Sequence, residues 1–186
     1  FVETCAKTVI EKNPQTVEEL MTCKASGSDL TVEDLVREKI LTIGENIKVR
    51  RFKRFEGVVS TYIHANGRIG VMVAFDVNSE VAKKDEFKSY AKDVAMQVAA
   101  VNPSYLNKDA VPADVLEHEK KILTEQVVND GKPASVAEKI VMGRIGKFYK
   151  ENCLVDQVFV KDSNLSVDQY TKQVSKNLGA DIKISD

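Results

Sequence analysis

The sequence predicts an α+β fold in which helices cover an antiparallel sheet and two polar helices form an antiparallel hairpin. Three observations support this class. Three consecutive runs have the residue pattern of strands, with a period of two. Segments in which apolar residues recur at the helical period lie before and after those runs. Two further helices, each with a narrow stripe of apolar residues, follow with a short turn between them. The resulting order of helices, strands, helix, helical hairpin, helix and strand favours an antiparallel sheet.

Capping signals predict the helices of the N-terminal segment. Residues 1–12 fit a helix that the Asn13-Pro14 pair ends, because proline pushes the preceding residue out of the helical region. Thr16 and Thr31 each stand three residues before an acidic residue, which is the capping-box signature at the start of a helix. Gly44 is a plausible stop for the helix that Thr31 opens.

A meander of three strands is predicted in the middle of the chain. The runs 47–52, 58–63 and 68–75 have the alternation or the β-branched and aromatic content of strands. The Asn66-Gly67 pair between the second and third runs is a strong signal for a hairpin turn.

The second half of the chain predicts a covering helix, a helical hairpin and a closing strand. Residues 87–101 form an apolar-rich helix that we expect to cover the sheet. Residues 111–129 and a helix opened by a capping box at Ser135 carry thin apolar stripes, as in an antiparallel helical hairpin. Ser166 caps a last helix, and alternation over 181–185 predicts a strand.

Composition limits the classes of function. The chain has 186 residues with a formal net charge of −1, so no global field draws it toward nucleic acid or membrane. No apolar run approaches the ~20 residues of a membrane helix. Cys5, Cys23 and Cys153 are odd in number and far apart, which favours buried or half-buried free thiols in a reducing compartment over a disulfide framework or a zinc site.

Motifs that carry chemistry are absent from the sequence. There is no phosphate-binding glycine loop, no HExxH, no G-x-S-x-G and no calcium loop. His118 lies among charged residues, and His64 lies beside a predicted turn, where a binding role is open because loops often carry function. The sequence therefore predicts an interaction protein that is not an enzyme and has no cofactor and no metal.

A basic cluster over residues 50–54 leaves a second function open. Its cations are interleaved with aromatic residues, as on a nucleic-acid-binding surface. If this segment is a strand, alternate side chains point to opposite faces, which divides the four cations between them. A nucleic-acid-binding module that uses the basic strand 50–54 is therefore the alternative to an interaction protein.

Several stretches resemble translation elongation factor Ts, and the match runs over essentially the whole chain. The most specific are IGENIKVRR at 43–51, YIHANGRIG at 62–70 and DVAMQVAA at 93–100. The family pattern continues, in order, with Glu56-Gly57, Gly131-Lys132-Pro133, Gly143-Arg144, Lys147-Phe148 and Phe159-Val160. Each stretch alone is weak evidence, whereas their common order and spacing are specific.

The resemblance implies a core of two small antiparallel sheet subdomains covered by helices, with a helical hairpin (coiled coil) inserted into the second. Residues 1–55 would be the remainder of the first subdomain. Residues 56–186 would be the second, with the hairpin at about 111–151.

The resemblance also implies a role in translation elongation. Members of the family bind elongation factor Tu carrying GDP and promote GDP release so that GTP can rebind. The resemblance therefore implies that this chain is cytoplasmic and that its partner is elongation factor Tu. No membrane and no direct nucleic acid are expected, and a dimer formed through the core stays open.

Partner-binding residues follow from the matched motifs. Ile43 would pack against the partner's nucleotide domain, with Gly44, Glu45 and Asn46 shaping the turn beside it. His64 would meet the same surface or one close to it. Val160 and Lys161 would contact a more distant domain of the partner.

Three segments of the family pattern have no match in this sequence. These are the N-terminal helical module, the T-D-F-V segment that wedges into the partner near its magnesium site, and the C-terminal F-[IV]-R-F-E strand with its helical module. The sequence begins about a dozen residues downstream of T-D-F-V by family spacing. We therefore expect a fragment that binds the partner weakly and exchanges nucleotide poorly.

Overall fold

The computed structural model describes residues 1–131 and 133–186, and for residues 134 and 135 it describes the backbone alone. The predicted capping box at Ser135 therefore lies outside the described residues. The chain divides into two compact units, Phe1–Phe55 and Glu56–Asp186. Their identity as the two similar subdomains of the family core stays a prediction.

The first unit contains three helices: α1 (Val2–Lys12), α2 (Val17–Thr22) and α3 (Val32–Ile43). The Thr31 capping box is present, with both reciprocal hydrogen bonds to Asp34. Thr16 makes half of the predicted box, because its side chain accepts from the Glu19 N–H while the Glu19 carboxylate accepts from Gln15 N–H instead. The helices enclose a small core of Cys5, Val9, Leu20, Ala25 and Val32.

The strand predicted over residues 47–52 is wrong, and with it the basic strand 50–54. The described backbone between Gly44 and Gly57 contains neither helix nor strand. Alternation gives a strand only when a second strand pairs with the backbone N–H and C=O groups, and no described segment pairs here. Val49 and Phe52 instead pack against the core of the first unit.

The second unit contains two small antiparallel sheets. Strands β1 (Val58–His64) and β2 (Ile69–Asp76) form the predicted hairpin, and β5 (Lys183–Ile184) pairs antiparallel with the far end of β2. The turn contains Asn66 with a φ of 55° followed by Gly67 with a φ of 89°. A second, two-stranded hairpin is formed by β3 (Val158–Phe159) and β4 (Asp162–Ser166).

Helices cover the three-stranded sheet as the sequence predicts. Helix α4 (Ser79–Ala82) leads into α5 (Asp85–Val101), and α8 (Val167–Leu178) begins at a capping box of Ser166 and Gln169. The core between sheet and helices includes Val73, Phe75, Phe87, Tyr90, Val94, Val167 and Val174. The rings of Phe75, Phe87 and Tyr90 lie 5.5–6.0 Å apart in edge or tilted contacts. The α+β class with small antiparallel sheets is therefore confirmed.

The predicted helical hairpin consists of α6 (Ala113–Asn129) and α7 (Ala134–Asn152). Its apolar stripes meet in a separate small core of Leu123, Val127, Val141 and Ile145. Arg144 on α7 donates to Gln126 and pairs with Asp130, which fixes the antiparallel register. Among the described residues, no helix is both long enough and apolar enough to cross a membrane.

Candidate partner-binding site

Three of the predicted site residues line one groove on the second unit. His64 comes from the end of β1, and Val160 and Lys161 form the tip of the β3–β4 hairpin. The groove encloses about 240 Å³, and its remaining lining residues are Tyr62 from β1 and Met96, Ala99 and Ala100 from α5. Residues nearly a hundred positions apart in sequence therefore share one surface.

Tyr62 supports the imidazole of His64. The two residues lie two positions apart on β1, so their side chains project from the same face of the strand. The Tyr62 hydroxyl and His64 Nδ1 share a hydrogen bond of 3.1 Å, and the rings lie 5.8 Å apart. The contact involves Nδ1 of the ring, and His64 as a whole is exposed.

Val160 and Lys161 occupy a tight turn whose backbone is bound by α5. Phe159 pairs with Asp162, so only these two residues connect β3 to β4. The Val160 N–H donates to Gln97 Oε1 at 2.8 Å, and Gln97 Nε2 donates to the Val158 carbonyl at 3.1 Å. Half of the Val160 side chain remains exposed, so the turn presents an apolar group to solvent.

Lys161 is oriented by an ion pair beneath the groove. Its Nζ lies 2.6 Å from Oδ1 of Asp93, which is 8% exposed. The other carboxylate oxygen accepts a 3.3 Å hydrogen bond from the Tyr170 hydroxyl. Burial, together with the neighbouring charge of Asp93, raises the pKa of Tyr170 to about 12, because both disfavour the phenolate.

The groove combines an apolar floor with a polar rim. Met96, Ala99, Ala100 and Val160 supply the apolar lining, while His64 and Lys161 supply donors at the edge. Such a surface can receive an apolar side chain of a protein partner and align a neighbouring acceptor or carboxylate. Among the described residues, no cluster of three side chains is suited to hold a metal ion.

The other four predicted residues form a helix end in the first unit. Ile43 is the last residue of α3, and 58% of it is exposed. Gly44 ends the helix with a φ of 79°, a left-handed conformation that favours glycine, and donates its N–H to the Ile40 carbonyl at 2.8 Å. Glu45 and Asn46 are exposed. A large apolar side chain at an exposed, conformationally fixed helix end is suited to insertion into a partner.

Asp93 and Gln97 are the residues near the groove that sequence reasoning missed as site components. Both lie in the 93–100 stretch, but no role was assigned to either. Their signal is that these two polar residues, one helical turn apart, interrupt the otherwise apolar face of the helix. Gln97 is completely buried, and a buried amide needs hydrogen-bond partners.

The three cysteines agree with the predicted free thiols. Cys5 and Cys153 are buried, and Cys23 is half-buried. Burial raises the pKa of the Cys5 and Cys153 thiols above the ordinary range, which keeps them protonated and unreactive.

Comparison with known proteins identifies the family. The family model described as Elongation factor TS matches residues 1–185. The chain belongs to the elongation factor Ts family. This match agrees with the resemblance of the chain's motifs to the family.

Clostridial members of the elongation factor Ts family are among the similar proteins. Elongation factor Ts of Clostridium kluyveri (strain ATCC 8527) is 47% identical over 189 aligned residues, which cover 100% of this chain and 61% of that relative. Elongation factor Ts of Clostridium botulinum (strain ATCC 19397 / Type A) is 49% identical over 177 residues, covering 92% of this chain and 56% of the relative. The chain thus spans about three fifths of the length of these relatives.

Proposed function

We propose that this chain binds elongation factor Tu carrying GDP and promotes release of the GDP, so that GTP can bind in its place. The observation that carries the proposal is the groove in which His64, Val160 and Lys161 meet. These residues lie in separate family motifs, and a shared exposed surface is what a common partner would require. Membership of the elongation factor Ts family supports the same partner.

Exchange of this kind is a coupling between two ligands of one protein. If the chain weakens the affinity of elongation factor Tu for GDP by some factor, GDP weakens the affinity for the chain by the same factor. The exchange factor then supplies contact surfaces, and no covalent step is required of its side chains. An apolar groove with a polar rim and the exposed Ile43 helix end are surfaces of this type.

The residues of the groove have distinct roles in this proposal. Val160 would bury its exposed half against the partner, while Lys161 and His64 would donate to acceptors at the rim. Ile43 on the first unit would make a separate apolar contact with the nucleotide domain. Central apolar contacts surrounded by polar ones are the usual arrangement of a protein interface.

A fluorescent GDP analogue bound to purified elongation factor Tu tests the proposal. The rate of its release is measured with the chain and with the Ile43→Ala, His64→Ala double variant, while binding is measured separately by calorimetry. We expect the chain to bind weakly and to accelerate release only modestly. The double variant should bind about tenfold or more weakly, because Ile43→Ala removes three carbons worth about 0.8 kcal/mol each when fully buried, and 58% of Ile43 is exposed for the partner to cover.

His118→Ala provides the matched control. His118 is an exposed histidine on α6, outside the groove, and its replacement should change neither binding nor release. Failure of the unsubstituted chain to bind elongation factor Tu at high concentration would overturn the proposal. If His118→Ala weakened binding to elongation factor Tu as much as the double variant does, the proposed binding surface would be wrong.

The segment 50–54 supports a second candidate function in nucleic-acid binding. Arg50, Arg51, Lys53 and Arg54 are all exposed, and the segment that carries them is not a strand. The ammonium of Lys53 lies 4.5 Å from the ring of Phe55. Binding of single-stranded RNA whose affinity falls steeply with salt, without binding to elongation factor Tu, would favour this function.

A further inference from the structure

We propose that Gln97 and Asp93 are positioning residues, which hold the Val160-Lys161 turn in the orientation that binds the partner. The proposal rests on the proposed function and names the residues that give the groove its shape. Neither side chain needs to touch the partner, because Asp93 is 8% exposed and Gln97 is fully buried.

Gln97 uses both ends of its amide on the β3–β4 hairpin. Oε1 accepts from the Val160 N–H at 2.8 Å, and Nε2 donates to the Val158 carbonyl at 3.1 Å and to Gln157 Oε1 at 3.2 Å. Gln157 is itself bound, because its Nε2 donates to the Glu151 carbonyl at 3.0 Å. A side chain at this length needs both a donor and an acceptor to satisfy the Val160 N–H and the Val158 carbonyl at once.

The turn depends on this amide because its own ladder is short. Strand β3 has two residues, and its pairing with β4 is irregular between Val158 and Phe159. The N–H of Val160 and the carbonyl of Val158 are both bonded to the Gln97 side chain on α5. Without Gln97, both groups would need other partners, and the tip could move relative to the groove.

Asp93 fixes the charged side of the same turn. It lies one helical turn before Gln97 on α5 and holds the Lys161 ammonium at 2.6 Å. Tyr170 donates to the second oxygen of Asp93 and stacks on Phe159, with ring centroids 4.4 Å apart. The Lys161 side chain is 53% exposed, so its ammonium is oriented but still reachable by a carboxylate of a partner.

The same helix builds the groove and holds the turn. Met96, Ala99 and Ala100 form part of the lining, and Asp93 and Gln97 lie between and beside them along α5. The distance between groove floor and Val160 is therefore set by one rigid element. Loss of the Gln97 amide should weaken partner binding through the position of Val160, not through loss of a direct contact.

The test compares Gln97→Met with Thr171→Val in the 186-residue chain. Methionine keeps the length of glutamine but has no amide, whereas Thr171→Val removes a buried hydroxyl that bonds Tyr90 at 2.8 Å in the sheet core. Affinity for elongation factor Tu·GDP is measured by calorimetry, and the exchange rate of the Val160 amide is measured by NMR. Thermal unfolding reports on stability in both variants.

We expect Gln97→Met to raise the Kd about fourfold, the loss expected for Val160→Ala, because the amide acts through the position of the Val160 side chain. We also expect the Val160 amide to be released to exchange, because both hydrogen bonds from Gln97 to the turn are lost. Thr171→Val should lower stability without changing either readout. When Val160 is already alanine, Gln97→Met should raise the Kd by less than about twofold. The side chain that Gln97 positions is then missing, so the effects of the two substitutions should not add in a double-mutant cycle.

Several outcomes would overturn the inference. One is an unchanged affinity of Gln97→Met. Another is an equal loss of affinity when Gln97→Met is made in the unsubstituted chain and in the Val160→Ala variant, because the loss would then not depend on the Val160 side chain. If Gln97→Met does not fold, the Kd of Asp93→Asn tests the proposal instead. This substitution removes the ion pair with Lys161, and an unchanged Kd would contradict the proposal. Absence of binding by the unsubstituted chain is a different result, since it overturns the proposed function itself.

Discussion

Replacing Val160 by alanine should weaken binding to elongation factor Tu about fourfold. The substitution removes two methyl groups, each worth about 0.8 kcal/mol when fully transferred from water to an apolar contact. Half of the Val160 surface is already covered within the chain, so partner binding can contribute only the remaining half. That leaves about 0.8 kcal/mol, and since 1.4 kcal/mol corresponds to a factor of ten, the Kd should rise about fourfold.

Calorimetric titration of elongation factor Tu·GDP with the Val160→Ala variant measures this change directly. Val101→Ala is the control, because Val101 is 41% exposed at the end of α5 and does not line the groove. Its Kd should stay within about twofold of that of the unsubstituted chain, as for surface changes away from an interface. An unchanged Kd for Val160→Ala, or an equal rise for Val101→Ala, would refute the reasoning that the exposed half of Val160 is buried by the partner.

The remaining predictions concern stability and can be read without the partner. Gly44→Ala should lower the free energy of unfolding in urea by about 1 kcal/mol, because alanine is strained at a φ of 79°. Gly143→Ala inside α7 should raise it by up to about 1 kcal/mol, because the added methyl group meets nothing within 4 Å apart from its chain neighbours and the backbone of its own helix. Val127→Ala should destabilise the helical hairpin by about 2 kcal/mol, and amide exchange should accelerate in α6 and α7 while the sheet of β1 and β2 stays protected. The pKa of Tyr170 is raised to about 12 in the folded chain, so the stability that it contributes is complete below its ordinary pKa near 10 and is lost as pH rises through 12. In Tyr170→Phe, the free energy of unfolding should therefore fall less steeply between pH 10 and pH 12. An unaltered pH dependence of the free energy of unfolding would contradict the raised pKa of Tyr170.

The helices show how far local chemistry specifies structure. Thr31 and Ser166 form complete capping boxes, and Gly44 ends its helix in the left-handed conformation, as the sequence predicts. These signals are reliable because capping depends on residues within three or four positions of one another. The β1–β2 hairpin is predictable for the same reason, since the Asn66-Gly67 turn is itself a local signal.

The segment 47–52 shows where local chemistry fails. Its alternation resembles that of β1, but strand formation depends on a partner strand, and the described residues contain none that pairs with it. The sequence therefore could not distinguish a strand from an extended segment whose apolar residues pack on a helical core.

Sequence alone determined the α+β class, the caps and ends of its helices, the hairpin turn, and, through the order of its motifs, the family of the chain. Tertiary structure alone decided that His64, Val160 and Lys161 share a groove and that Gln97 and Asp93 hold its rim. The physical reason is distance along the chain. Caps and turns act between near neighbours, whereas the bonds from α5 to the Val160 turn join residues more than sixty positions apart and arise only when helix and hairpin pack together.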